Sequence, residues 1–159
     1  MKTELIASSH AVGESSYHLQ LTPAYRQDIF SEPLVAELTL AYMAEKLQKH
    51  KVILKGYGYG PDHMHLFVSN VRHVSEIKLV QQIKGFSSYM MRKGHWYMFH
   101  DKLWGKKFWS EGHFYRSVGA VTQESMQWYV TKGQKKHWQK FTYEEYTQLK
   151  NQKILADFN

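Results

Sequence analysis

Between Lys51 and Val68 the chain reads as a β-hairpin. Val52, Leu54, Tyr57 and Tyr59 recur through a glycine-punctuated run, Gly60-Pro61-Asp62 supplies a turn, and His63-Met64-His65-Leu66-Phe67-Val68 follows as a second apolar stretch. Side chains two apart on a strand leave the same face, so His63 and His65 project together while Met64 points the other way. Such a pair can ligate a metal. Ten histidines in 159 residues would give about 0.6 such spacings by chance, so the context has to supply the specificity.

Outward from the hairpin the pattern alternates between strand and helix periods. Tyr17-His18-Leu19-Gln20-Leu21-Thr22 alternates as a strand that Pro23 ends or edges. Ser31-Glu32-Pro33 offers a cap and a first-turn proline ahead of Leu34, Leu38, Leu40, Ala41, Ala44 and Leu47, predicting a helix over 33–50. Ile77, Val80, Ile83 and Phe86 predict a second helix over 75–93, ending at Gly94; Ser75 with Lys78 lacks the acidic half of a capping box. An aromatic, basic segment over 95–113 leads into a strand at 114–118, and Thr122 caps a final helix bearing Met126, Tyr129 and Val130. Residues 1–11 read as a loose start, 12–137 as the core, and 138–159 as a polar, partly helical tail. The order is that of one α+β domain over 1–159, an antiparallel sheet covered by helices.

The balance of 21 Lys and Arg against 14 Asp and Glu, a formal charge of +7, favours a polyanionic partner or else a merely solvated basic surface. Eleven Tyr, eight Phe and five Trp among those cations suit single-stranded nucleic acid, although many of the rings must fill the core. Without cysteine there is no disulfide and no thiolate metal site. With neither a secretory leader nor a run of 18 apolar residues, the expectation is a soluble, cytoplasmic protein with no membrane partner. No glycine-rich phosphate loop precedes a Lys-Ser or Lys-Thr pair, so no nucleotide cofactor is expected.

Pro61-Asp62-His63-Met64-His65-Leu66, Tyr17-His18 with Tyr25-Arg26, Lys84-Gly85-Phe86-Ser87-Ser88, and the stretch from Leu103-Trp104-Gly105 through Phe108-Trp109 to Phe114-Tyr115-Arg116-Ser117-Val118-Gly119 together resemble the single-tyrosine HUH transposases of the IS200-like family. The resemblance implies a ferredoxin- or RRM-like sheet with the catalytic tyrosine on the last helix. It implies insertion-sequence transposition, in which single-stranded DNA is cleaved and rejoined through a 5′-phosphotyrosine with the help of Mg²⁺ or Mn²⁺. It further implies a homodimer whose last helix completes the partner's site, and recognition of DNA hairpins at the element's ends.

Carried over residue by residue, the resemblance makes His63 and His65 metal ligands and Tyr129 the nucleophile, although Tyr129 also shares a face with Met126 and Val130 as a core aromatic would. The family's third ligand, a glutamine four residues after the tyrosine, falls on Gly133. Gln134 stands one residue on, about 140° from Tyr129 round an ideal helix, and a π-bulge or a kink at Gly133 would return it to register as a ligand. Lys132, one turn from Tyr129, is a candidate to steady the phenolate. Lys84, Arg92, Lys106, Lys107, Arg116 and Lys132 are candidate DNA contacts, each alternatively a solvated charge, and His18 reads as structural or DNA-facing. Two further functions stay open: a non-catalytic module that binds single strands, and a domesticated relative that processes chromosomal hairpin repeats.

Overall fold

The computed structural model describes residues 6–7, 12–13 and 15–117. At the start, β1 (Ile6–Ala7), within the stretch expected to be a loose start, pairs antiparallel with β2 (Val12–Gly13) just beyond it. This is a main-chain ladder of two residues a side, and so short a pairing needs no hydrophobic alternation to announce it. The main sheet holds β3 (Tyr17–Leu21), β4 (Ile53–Gly60), β5 (His63–Ser69) and β6 (Phe114–Ser117) in the spatial order β4-β5-β3-β6, every neighbour antiparallel. Helices α1 (Pro33–Lys49) and α2 (Glu76–His95) complete an α+β plan of strand, helix, strand, strand, helix, strand. The predicted final helix and tail lie outside the described residues.

The register sorts the side chains. Leu19 stands opposite Leu66 and Leu21 opposite Met64 across β3 and β5, while Tyr57 and Tyr59 on β4 face the same two residues from the other side. All six are buried in one core with Val35, Leu38 and Leu47 of α1 and Leu79, Val80 and Ile83 of α2. The opposite face carries the alternate positions: His18 and Gln20, His63, His65 and Phe67, and the glycines Gly56, Gly58 and Gly60. Strand β6 adds Arg116 beside His18 and Phe114 beside Gln20. The predicted hairpin is present, with Pro61 and Asp62 as its two-residue turn.

Local signals were used partly as expected. Pro33 opens α1, but Ser31 does not cap it; its hydroxyl donates to the Asp28 carbonyl at 2.6 Å and closes a 3₁₀ turn over Ile29–Ser31. Ser75 does cap α2, its Oγ accepting from the Lys78 amide at 3.2 Å. Helix α2 continues through Gly94 to His95, whose buried Nε2 meets the Tyr42 hydroxyl of α1 at 2.8 Å. That cross-helix bond anchors the last turn, which a local reading ends at Gly94. The following aromatic segment is tacked to the start of the chain: Ala24 N–H donates to the Phe108 carbonyl, Ser110 N–H to the Thr22 carbonyl, and Trp109 Nε1–H to Ser87 Oγ, each at 2.9 Å. Pro23 forms an isolated bridge to Trp109, the edge position a residue without an N–H can take.

Candidate metal centre

His63 and His65 lie side by side on the sheet face away from the helices, with ring centroids 5.3 Å apart and planes at 89°. Metal–nitrogen bonds of about 2.1 Å allow two rings this close to share one ion. Each ring is oriented through Nδ1. His63 Nδ1 is 2.8 Å from Asp62 Oδ1, and the Arg26 guanidinium holds the other Asp62 oxygen at 3.3 Å. His65 Nδ1 is 2.6 Å from His18 Nε2, and those two rings stack with an interplanar angle of 6° and centroids 4.8 Å apart. A ligating imidazole characteristically has its second nitrogen engaged in this way, so the two rings fit a metal bound through Nε2 of each.

Electrostatics favour the neutral, ligating form. Burial, followed by the charges of His18 and His63, pulls His65 down to about 3, so the ring stays unprotonated at neutral pH. His18 is also lowered, first by burial and then by Arg116. Asp62 is held below the usual carboxylate range chiefly by its hydrogen bond with His63, which keeps an anion against that ring. Gly60 is opposite His63, and a Cβ placed there would come within 2.5 Å of His63 Cε1; the ring lies directly over the glycine backbone.

Among the described residues no group of three or more His, Cys, Asp or Glu is arranged to hold a metal ion. Among the described residues His63 and His65 are thus a pair of candidate donors, short of a complete set. Tyr129, Gln134 and Lys132 lie outside the described residues. His18, read from sequence as structural or DNA-facing, has a partner that local reading could not find: its link to His65 spans 47 positions and arises from the β3–β5 register.

The other predicted cations are dispersed. Arg116 is exposed on β6, beside His18 and on the histidine face. Lys84 is turned inward, its Nζ donating to the carbonyls of Ser110, Glu111 and Gly112 at 2.6, 3.3 and 3.2 Å; burial lowers its pKa. Its ammonium ties α2 to the chain entering β6. Lys107 pairs with Glu111 at 2.9 Å. Arg92 stacks on Trp96, 5.1 Å from the ring centroid, and lines a surface cavity with Lys106.

An antiparallel sheet with helices on one face and a histidine pair on the other defines the class of fold, and comparison with known proteins supplies the family. The family described as "Transposase IS200 like" matches residues 11–133, and this chain belongs to it. A comparison with curated proteins finds none that matches. Among solved structures, the chain is similar to a candidate transposase from Deinococcus radiodurans, with a TM-score of 0.63 and 20% identity over 79% of this chain and 95% of that one. It is also similar to a REP-associated tyrosine transposase solved with a REP hairpin, with a TM-score of 0.54 and 8% identity over 82% of this chain and 68% of that one. These likenesses support the fold. The protein is thus a DNA-processing enzyme of the transposase class, and among its described residues no helix is long and apolar enough to cross a membrane.

Proposed function

We propose that this transposase cuts and rejoins single-stranded DNA by tyrosine transfer at the histidine face. The observation that carries the reading is the paired orientation of His63 by Asp62 and His65 by His18, in a chain of this family. His63, His65 and Gln134 would hold a divalent ion, Mg²⁺ or Mn²⁺, which when bound supplies positive charge to the non-bridging oxygens of the scissile phosphate. The Tyr129 hydroxyl attacks that phosphorus: the tyrosyl O–P bond forms, the P–O3′ bond breaks, and a 5′-phosphotyrosine and a free 3′-OH result. The phenol loses its proton in the step, and Lys132, one turn away on the predicted helix, steadies the phenolate. Reversal by a 3′-OH restores the phosphodiester, so the covalent link stores the bond energy and no nucleotide is consumed.

Arg116, which lies beside His18 on the histidine face, meets a phosphate of the bound strand in this reading. Hairpins at the element's ends are the proposed DNA partner, following the REP-hairpin complex of the second structural neighbour, and the last helix of one subunit completes the site of the other in a homodimer. Incubation with single strands carrying the gene's flanking DNA tests the reading. Cleavage should require Mg²⁺ or Mn²⁺ and disappear with EDTA or in His63→Ala. Binding without cleavage under any metal would instead support a non-catalytic single-strand module.

A further inference from the structure

Away from the histidine pair, two surface cavities of about 150 and 330 Å³ share the Trp104-Gly105-Lys106 wall. The first is closed by Tyr25 and Lys107, the second by Arg92 and Trp96. Among the described residues no carboxylate lines either one. Trp104 stands between them, 74% exposed, and Tyr25 is 75% exposed at the far end.

The Tyr25 ring is held out by its backbone. Tyr25 and Arg26 are consecutive non-glycine residues with φ of 57° and 52°, a conformation that costs free energy and persists where surrounding structure enforces it. Here the enforcing contacts are the Ala24 amide on the Phe108 carbonyl and Arg26 on Asp62. At the other end, the Arg92 guanidinium lies against Trp96, and its Nε and Nη2 are buried with no hydrogen-bond partner among the described residues. Among the described residues no carboxylate pairs with it at the wall of the larger cavity. Exposed aromatic faces alternating with Arg92 and Lys106, which pair with no carboxylate among the described residues, match the faces of unpaired bases and the phosphates between them; a duplex hides those base faces.

We infer that this groove is a second nucleic-acid subsite, taking two neighbouring unpaired nucleotides of a DNA single strand, one on each side of Trp104. The inference rests on the DNA-processing reading above. It also orders the strand: Arg26 follows Tyr25 and pairs with Asp62, which touches His63, so the Tyr25 end of the groove abuts the turn that carries the histidines.

The test is fluorescence anisotropy with a short labelled oligothymidylate, an abasic deoxyribose-phosphate strand of equal length, and a duplex. Trp104→Ala and Tyr25→Ala should each weaken oligothymidylate binding by about tenfold or more, change abasic-strand binding by less than about twofold, and leave the melting temperature in place because both rings are exposed. Trp104→Phe, which keeps a stacking face, should retain most of the affinity. Wild-type affinity in both alanine variants overturns the subsite, as does an equal loss on the abasic strand, while leaving the transposase reading intact. A wild-type protein that binds neither single strand contradicts both.

Discussion

Asp62 holds two neighbours at once: its Oδ1 meets the His63 ring and its Oδ2 accepts from the Arg26 guanidinium. Removing a partner that orients a ligating histidine typically costs 10- to 100-fold in metal affinity, roughly the range expected for Asp62→Ala. Isothermal titration with Mn²⁺ measures it, and an unchanged affinity would show that His63 needs no such support. Gly60→Val should act in the same direction, because its side chain occupies the space of the His63 ring. A pH dependence follows from His65, held at about 3 against an ordinary 6.5. Between those values the unfolded chain binds the proton and the folded chain does not. Stability is therefore full above about pH 6.5 and falls as pH drops toward 3, by up to about 1.4 kcal/mol per unit. Urea melts of the metal-free protein at about pH 7 and about pH 5 should differ accordingly, and coincident midpoints would count against the buried neutral ring.

At the scale of elements, the hairpin was readable because alternation, a Gly-Pro-Asp turn and an apolar run agree locally. Helix α1 was readable from Pro33 and its apolar period. The continuation of α2 through Gly94 was not, because it depends on His95 meeting Tyr42 across 53 positions. The roles of His18 and Lys84 were hidden for the same reason: strand register places one against His65, and tertiary folding brings three carbonyls to the other. Lys84 has a consequence for β6, which is four residues long, exposed, and among the described strands paired only with β3. Lys84→Met keeps the aliphatic stem but leaves the three carbonyls without their donor, and should destabilise the protein by about 1–3 kcal/mol. Hydrogen exchange should locate the loss at residues 110–117, and unchanged protection there would mean that β6 is held by its ladder alone.

For the whole molecule, the two faces of one sheet divide the work. One face is sealed by α1 and α2 around Leu19, Met64 and Leu66, so Met64→Ala should cost about 2–5 kcal/mol in a chemical melt. The other presents His63 and His65 at a spacing fixed by that core, since Met64 sits between them in sequence and on the opposite side in space. The fold was legible because the hairpin, the two helical periods and the aromatic segment all pointed to one plan, and the family because motifs such as Pro61-Asp62-His63-Met64-His65-Leu66 resemble it. The completeness of the site was not, because Tyr129 and Gln134 lie on a separate predicted helix whose register with Gly133 a linear reading leaves open. The most direct test is to mix the protein with single-stranded DNA from its flanking sequence and Mn²⁺, resolve the products on a denaturing gel, and map any protein–DNA adduct by mass spectrometry. The account predicts a 5′-phosphotyrosine at Tyr129 that is absent in Tyr129→Phe and in His63→Ala. An adduct that persists in Tyr129→Phe, or maps to another residue, would contradict it.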